Sequence, residues 1–253
     1  MDKAAGSRGR AGIAAGSGKN SRPGGEPGHR EIGDLIQGWF REHAEDGYRR
    51  FVSGLIPDPG VPILGVRVPV IRRLARRLIR EEGAGIRWAL PDLGCDRSRE
   101  GRLLYGMLLG ADRGIAPRAL MAELGSRLDL ICNWELCDSL ATELGFIRDR
   151  GGEFLPLIPE LLADPRPYAQ RLGMVLFMMH LAGEEGAGAI LEQIIRLPGD
   201  HRYVLLGKAW ILSKLFCGSP LADQVGAVLE QGRLTAEEMR LTQAKIRDIR
   251  LKR

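Results

Sequence analysis

Hydrophobic residues recur every three or four positions along almost the whole chain from Glu31 onward, which is the spacing of amphipathic α-helices. The first stripe of this kind is made of Ile32, Leu35, Ile36, Trp39 and Phe40. A shorter segment, from Tyr48 to Leu55, ends at the helix-breaking run IPDPGVP. No segment has the alternation of a half-buried β-strand, so the pattern predicts an all-α protein.

The run LGVRVPVIRRLARRLIREE has the clearest helical pattern, and Pro69 suits a position in the first turn. Its predicted buried side consists of Val70, Ile71, Leu74, Leu78 and Ile79. The opposite side carries the arginine face, which we define as Arg72, Arg73, Arg76, Arg77 and Arg80. Because no acidic residue interrupts this face before Glu81, it is either a solvated surface or a candidate for binding phosphates.

Nine further helices are predicted between short joints rich in Gly, Pro and Asp. Their predicted bounds are 99–111, 117–127, 133–145, 153–163, 168–182, 187–195, 203–216, 220–231 and 236–251. Short helices with tight joints are typical of stacked antiparallel pairs, as in α-solenoids of the HEAT and armadillo type. We therefore expect one curved helical-repeat domain over residues 29–253, with a concave groove.

Residues 1–28 consist mainly of Gly, Ala, Ser, Pro and basic residues without periodicity, which predicts a disordered tail. This tail also holds most of the net charge of +5. Residues 1–30 contain six Lys or Arg and two acidic residues, which leaves 31 basic and 30 acidic residues in the rest of the chain. The predicted folded part is almost neutral, so only a clustered basic surface would indicate nucleic-acid binding.

The sequence gives no sign of several common kinds of site or targeting segment. The four cysteines have no CxxC spacing and the four histidines form no HxxxH pair, so neither a zinc site nor a disulfide framework is expected. No run of eighteen apolar residues and no secretory signal is present, so we expect a cytoplasmic protein, with an organelle transit peptide as the open alternative. The chain also lacks the serine-hydrolase elbow and the glycine-rich turn of nucleotide cofactor sites.

The stretch ICNWELCDSLATELG places an indole and a carboxylate on one face of a predicted helix, because Trp134 and Asp138 are four residues apart. Such a pair can hold a cationic ligand between an aromatic wall and a counter-charge. The same residues also fit an ordinary helix whose first-turn carboxylate suits the helix dipole.

Two further residues have both a structural and a functional interpretation. Trp210 lies in the apolar run YVLLGKAWILSKLF, where Gly207 and Ala209 would allow close approach of another helix, and it is either a core residue or a site residue. Arg171 precedes the apolar run of PYAQRLGMVLFMMHL, and its guanidinium either extends to solvent or binds a phosphate.

Five segments in order resemble the bacterial DNA alkylation repair family, which comprises alkylpurine DNA glycosylases built from HEAT-like repeats. They are Tyr48–Leu55 leading into ILGVRVPVIRRLAR, then REGRLLYGMLLG, NWELCDSLATEL, YAQRLGMVLFMMHL and YVLLGKAWILSKLF. The resemblance spans about residues 48–251. No single segment is specific, but five in order with similar spacing are.

The resemblance implies that the concave groove holds duplex DNA carrying alkylated bases. It implies that two tryptophans and an aspartate face the sugar of the damaged nucleotide, at Trp134, Trp210 and Asp138. It also implies an arginine beside the phosphate of that nucleotide, at Arg171. The full set of residues expected to bind DNA is Arg67, Arg72, Arg73, Arg171 and Lys214.

The chain departs from the family pattern at three places. The best-studied members have two adjacent tryptophans where this chain has Asn133 and Trp134. They have polar residues where this chain has Arg67 and Val68, just before Pro69. The family's basic residue after the second tryptophan is matched only by Ser213, with Lys214 next to it. These departures concern the contacts to the DNA backbone and leave the sugar-facing trio intact.

The base excision that the resemblance implies needs few catalytic side chains. A purine alkylated on a ring nitrogen is cationic and leaves as a neutral base, so the group to be stabilised is the oxocarbenium ion of the deoxyribose. A carboxylate about 4 Å away, in an effective dielectric of about 20, would contribute about 4 kcal/mol, or roughly a thousandfold in rate. We expect no metal and no cofactor, and a monomer that associates with the nucleoid when bound to DNA.

Two other functions remain open from the sequence. One is a non-catalytic HEAT-like protein that binds damaged or branched DNA through the arginine face, because some relatives in this superfamily bind unusual DNA without excising a base. The other is a solenoid that binds proteins. Release of 7-methylguanine from methylated duplex DNA distinguishes the glycosylase from both alternatives.

Overall fold

The computed structural model of the protein describes residues 27–251, and this part of the chain contains thirteen α-helices and no β-strand. The helices are α1 (Pro27–Glu42), α2 (Asp46–Leu55), α3 (Val68–Glu82), α4 (Arg99–Ala111), α5 (Pro117–Arg127), α6 (Trp134–Glu143), α7 (Gly151–Phe154), α8 (Ile158–Ala163), α9 (Pro167–Leu176), α10 (Ala187–Arg196), α11 (Arg202–Gly218), α12 (Ala222–Glu230) and α13 (Ala236–Leu251). Shorter 3-10 turns lie at Ala84–Ala89, Leu128–Leu130, Gly145–Arg150 and Leu155–Leu157, and one π-helical turn lies at Phe177–Leu181. The all-α prediction is therefore confirmed.

The predicted disordered tail, residues 1–28, falls outside the described residues except for its last two positions. Pro27 and Gly28 form the first turn of α1. The boundary predicted at residue 29 is thus two residues later than the observed start of the helix.

The helix predicted over residues 153–163 is not continuous in the structure. The structure contains α7, a 3-10 turn and α8 in this segment. Pro156 lies in the 3-10 turn and Pro159 in the first turn of α8. Because proline has no backbone N–H and its ring clashes with the preceding turn, each proline ends the helix before it.

The helices stack side by side in a row. In this row α3 packs on α4, α4 on α6, α6 on α9, α9 on α11, and α11 on α13. A second layer lies behind it, in which α8 packs on both α9 and α10, and α12 packs on α11. Two layers of stacked helices are the arrangement of a helical-repeat protein, in which each unit buries its apolar side against the next. The consequence for function is that α6, α9, α11 and α13 are neighbours.

The amphipathic stripes found in the sequence form the core. Ile36 and Phe40 of α1 are buried, and so are Ile71, Leu74 and Leu78 of α3. Full burial of one such side chain stabilises the fold by roughly 1.5–3 kcal/mol. Val70 and Ile79, which were also predicted for the buried side of α3, are only partly buried.

Buried charges join consecutive units of the stack. The carboxylate of Glu100, at the start of α4, accepts hydrogen bonds from the backbone N–H groups of Leu64, Gly65 and Val66, at 2.9, 3.0 and 3.3 Å. The neighbouring Arg99 donates from Nε to Glu135 of α6 at 2.6 Å. These contacts fix the loop before α3 and the start of α6 on α4. In residues 27–251, no helix combines the length and hydropathy needed to cross a membrane.

Candidate functional site

The helix that carries Trp134 and Asp138 begins at a side-chain cap. The Oδ1 atom of Asn133 accepts a hydrogen bond of 3.0 Å from the backbone N–H of Leu136. Its Nδ2 atom donates to the carbonyl oxygen of Pro59 at 2.9 Å. An asparagine at this position satisfies a free N–H group of the first turn and contributes about 1 kcal/mol. Asn133, one of the departures from the family pattern, therefore fixes the start of α6 and the position of Trp134.

The carboxylate of Asp138 is held from α9 by a guanidinium. Arg171 donates from Nε to Oδ1 of Asp138 at 2.9 Å and from Nη2 to Oδ2 at 2.7 Å. Its remaining nitrogen, Nη1, donates to the carbonyl oxygen of Tyr203 at 2.9 Å. The side chain of Arg171 is only 7% exposed, whereas that of Asp138 is 20% exposed. The aspartate therefore reaches solvent, while the arginine is enclosed behind it.

Burial of Asp138 and its pairing with Arg171 shift the pKa of its carboxyl group in opposite directions. Burial raises the pKa of Asp138 above its ordinary value, and the hydrogen bonds and positive charge of Arg171 oppose the rise. Asp138 in turn raises the pKa of Arg171 and outweighs the effect of burial on the guanidinium. The pair therefore keeps a carboxylate in a largely desolvated position, where its charge acts more strongly than it would in water.

The structure brings the three predicted sugar-facing residues together. Trp134, Asp138 and Trp210 line one open pocket of about 340 Å³. Both tryptophans are partly exposed, as residues of an accessible pocket must be. The other side chains that line this pocket are Arg171, Tyr203, Leu206 and Lys245. We call it the sugar pocket, after the ligand that the sequence predicts for it.

Helices α9 and α11 pack closely beside the sugar pocket, at Gly207. A methyl group at Gly207 would lie 3.1 Å from Nη1 of Arg171 and 3.4 Å from Cε of Met174. The first of these distances is shorter than an ordinary van der Waals contact. The small residue at Gly207 thus leaves room for side chains of α9, and the nearest of these is the arginine that holds Asp138.

Besides Arg171, two residues of the predicted DNA-binding set have acidic partners. Arg67 forms hydrogen bonds of 2.8 and 2.9 Å with Glu45, and its guanidinium lies 4.9 Å from the centre of the Tyr48 ring. Arg72 donates to both carboxylate oxygens of Glu143 on α6. The sequence could not reveal these partners, because Glu45 and Glu143 lie 22 and 71 residues away.

Only part of the arginine face is without acidic partners among the described residues. Besides Arg72, Arg77 is paired with Glu81 at 3.1 Å. Two of its five arginines therefore have acidic partners. Arg73, Arg76 and Arg80 are exposed, and none has an acidic residue of the described chain within ion-pair distance.

Lys214 does not line the sugar pocket. It is exposed and lines a second open pocket, also of about 340 Å³, together with Trp210, Met178 and Met179. The DNA-binding roles of Lys214 and of Arg171 stay predictions. For Arg171, all three guanidinium nitrogens donate hydrogen bonds within the protein.

Sequence reasoning missed three residues of the sugar pocket, namely Tyr203, Leu206 and Lys245. Tyr203 and Leu206 precede Trp210 by two turns and one turn of α11, so helical spacing alone could have grouped them with it. Lys245 lies on α13, and no motif links this helix to the rest of the pocket. Its place depends on the packing of α13 against α11.

Metal or cysteine chemistry finds no support at this site. Among the described residues, no three His, Cys, Asp or Glu side chains are grouped so that they could hold a metal ion. Cys137, the neighbour of Asp138, is fully buried, and burial raises the pKa of its thiol far above the ordinary value. Such a thiol is not a nucleophile at neutral pH.

Comparison with known proteins gives one match. The family model described as DNA alkylation repair enzyme matches residues 37–213, which is more than two thirds of the chain. The matched segment includes Trp134, Asp138, Arg171 and Trp210, and it ends before Lys214 and Lys245. Neither the curated proteins nor the solved structures contain a match to this chain.

Proposed function

The chain belongs to the DNA alkylation repair enzyme family, and from this premise we propose that it is a DNA N-glycosylase that excises purines alkylated on a ring nitrogen from duplex DNA. The observation that carries the proposal is the sugar pocket, in which Asp138 lies with Trp134 and Trp210 at an open surface. A carboxylate between two indoles suits a ligand that is, or becomes, positively charged.

The reaction needs few catalytic groups, because the alkylated base is already activated as a leaving group. A purine alkylated on a ring nitrogen carries a positive charge and departs as a neutral base with the electron pair of the glycosidic bond. The deoxyribose left behind is an oxocarbenium ion, which water attacks at C1′ with loss of a proton. Asp138 stabilises this ion and orients the attacking water. Neither a metal nor an organic cofactor is needed for these steps.

Arg171 modifies the electrostatic contribution of Asp138. A carboxylate about 4 Å from the cation contributes about 4 kcal/mol at an effective dielectric of about 20. A guanidinium behind it, about 8 Å from the cation, opposes this by about 2 kcal/mol. The ion pair therefore contributes about 2 kcal/mol, which corresponds to roughly thirtyfold in rate rather than the thousandfold expected from the carboxylate alone.

Trp134 and Trp210 act as walls for the sugar in this proposal. Each indole presents a negatively polarised ring face to a developing cation, which is worth about 0.5–2 kcal/mol depending on desolvation. The walls also exclude bulk water, and that strengthens the attraction between Asp138 and the sugar.

The test is release of 7-methylguanine from a methylated duplex, measured by chromatography of the free base. We expect release by the unaltered protein and a loss of roughly a thousandfold in Asp138→Asn. Asp149→Asn is the matched control, because Asp149 is exposed, lies outside the pocket and loses the same charge. Equal rates in Asp138→Asn and Asp149→Asn would refute the proposed role of Asp138.

A non-catalytic DNA-binding protein is the second candidate, and the unpaired part of the arginine face favours it. Arg73, Arg76 and Arg80 are exposed without an acidic partner among the described residues. This candidate predicts salt-sensitive binding to duplex DNA with no base release at any enzyme concentration. Substitution of Arg73 would then weaken DNA binding, while Asp138→Asn would leave DNA binding nearly unchanged.

A further inference from the structure

The C-terminal helix brings a positive charge to the sugar pocket from outside the segment that matches the family. The match ends at residue 213, whereas Lys245 lies on α13, Ala236–Leu251. We propose that Lys245 binds a backbone phosphate of the nucleotide whose sugar occupies the pocket. This inference rests on the proposed function, because it assumes that the pocket receives DNA.

A buried ion pair fixes α13 on α11. Nζ of Lys208 donates to Oε1 of Glu238 at 2.6 Å, and both side chains are almost completely buried. The same ammonium donates to the carbonyl oxygens of Ile195 and Leu197. Because removing one partner of such a pair leaves an uncompensated buried charge, the two helices are held in one relative position.

A capping box fixes the start of α13 at the same glutamate. The backbone N–H of Thr235 donates to Oε2 of Glu238 at 2.9 Å, and the backbone N–H of Glu238 donates to Oγ1 of Thr235 at 3.2 Å. This reciprocal arrangement satisfies two N–H groups of the first turn. Glu238 therefore sets both where α13 begins and which of its sides faces α11.

Helical periodicity then directs Lys245 to the sugar pocket. Glu238, Thr242 and Ile246 are the buried residues of α13, at intervals of four. Lys245 follows Glu238 by seven residues, or almost two full turns, so it lies on the same side of the helix. The side chain is partly buried and lines the pocket with Trp210 and Asp138.

The charges of the pocket favour a phosphate as the partner of Lys245. The other cation in the lining, Arg171, is 5% exposed and is already bonded to Asp138 and Tyr203. No acidic residue of the described chain lies within ion-pair distance of Lys245. An uncompensated ammonium would repel the cationic sugar, whereas one that is bound to a phosphate would not. A nucleotide in the pocket brings such a phosphate with it, and lysine binds phosphate as a point charge.

Trp210 contributes to two pockets, each of which contains a lysine. The indole lines the sugar pocket, which contains Lys245, and the second pocket, which contains Lys214. The two ammonium groups therefore come to the surroundings of Trp210 from different helices, α13 and α11. This arrangement suits two phosphates of one strand near the damaged nucleotide.

The experiment measures binding to a duplex that contains a stable abasic analogue, so that it does not depend on base release. The dissociation constant is determined over a series of salt concentrations for the unaltered protein, Lys245→Gln, Lys245→Arg and Arg247→Gln. Arg247 is the matched control, because it is exposed, lies on the same helix and loses the same charge. Thermal unfolding of each variant checks that the fold is retained.

We expect Lys245→Gln to raise the dissociation constant about tenfold at low salt and to reduce the salt slope by about 0.9, the value for one phosphate contact. Lys245→Arg should restore most of the slope, and Arg247→Gln should change it little. If Lys245→Gln and Arg247→Gln have the same slope and affinity, the inference is wrong while the proposed function stands. If the unaltered protein does not bind the duplex at all, both are wrong.

Discussion

Arg171 donates hydrogen bonds to both carboxylate oxygens of Asp138, and so it holds the negative charge of the sugar pocket in place and also weakens it. The two effects arise from one contact. Without the guanidinium the carboxylate would be free to rotate away from the pocket. With it, the pocket presents a dipole whose negative end is the more exposed one, because the side chain of Asp138 is more accessible than that of Arg171.

The first prediction separates these two effects by combining substitutions. Asp138→Asn should slow the release of 7-methylguanine roughly a thousandfold, because it removes about 4 kcal/mol and leaves the positive charge of Arg171 behind the pocket. Adding Arg171→Gln removes that charge, so the double variant should be about thirtyfold faster than Asp138→Asn. The measurement is the single-turnover rate of base release with enzyme in excess.

Unfolding in urea provides the control for this prediction. Breaking a largely buried ion pair leaves one charge unpaired, and we expect each single substitution to lower the free energy of unfolding by about 3 kcal/mol. The double variant should lose less than the sum of the two, since its two residues are in contact. A double variant no faster than Asp138→Asn, in spite of recovered stability, would contradict the electrostatic explanation.

The second prediction concerns pH. Asp138 must be ionised to stabilise a cation. The rate of excision should therefore be highest at pH values above the pKa of Asp138, and it should fall as the pH drops through that pKa. Burial raises this pKa, and the acid limb of kcat/KM should therefore lie above the ordinary aspartate value of about 3.9. Arg171→Gln removes the group that opposes the rise, so its acid limb should move to still higher pH.

The pH profile is measured as base release at each pH, with the rate of spontaneous depurination subtracted. Asp149→Asn serves again as the control and should have the profile of the unaltered protein. A limb that stays in place or moves to lower pH in Arg171→Gln would show that Asp138 is not the group whose ionisation limits the rate.

The third prediction tests the aromatic walls. Trp134→Ala and Trp210→Ala should each lower kcat/KM about tenfold, because the sugar loses an aromatic contact of about 1–1.5 kcal/mol and gains access to water. Trp88→Ala is the matched control, since Trp88 is 46% exposed and lies outside the sugar pocket. Its kcat/KM should stay within about twofold of the unaltered value. Equal effects of all three substitutions would exclude a specific role for the pocket tryptophans.

The fourth prediction uses the close contact at Gly207. Gly207→Ala places a methyl group 3.1 Å from Nη1 of Arg171, so the guanidinium must shift and Asp138 must shift with it. We expect slower base release without unfolding. Gly125→Ala is the matched control, because no atom lies within 4 Å of the added methyl group. This control should gain roughly 0.5–1 kcal/mol of stability from helix propensity and keep its activity.

Base release and urea unfolding are measured for both glycine variants. If Gly207→Ala is as active as Gly125→Ala and gains the same stability, then the contact between α9 and α11 does not control the position of Asp138. Base release would then tolerate movement of Arg171, and the ion pair between Arg171 and Asp138 would contribute less to the rate than proposed.

Local sequence determined most helices. The predicted bounds of α4, α5 and α13 agree with the structure, because hydrophobic periodicity and the residues at helix ends act over a few positions. The segment at residues 151–163 was predicted less well, since its apolar pattern continues through two prolines that divide the helix. The trio Trp134, Asp138 and Trp210 was also proposed from the sequence, through the resemblance of the segments that contain it.

Only the tertiary structure decided the electrostatic state of the site. Arg171 and Asp138 are 33 residues apart, and Arg72 and Glu143 are 71 apart, so neither pairing can be read from the spacing of charges. The arrival of Lys245 at the pocket likewise depends on how α13 is rotated on α11 through Glu238 and Lys208. The sequence by itself therefore determined which helices form and which residue types they carry. Which charges are paired, and which face a ligand, depends on the stacking of distant helices, because a charge interacts with whatever packing places within a few ångströms of it.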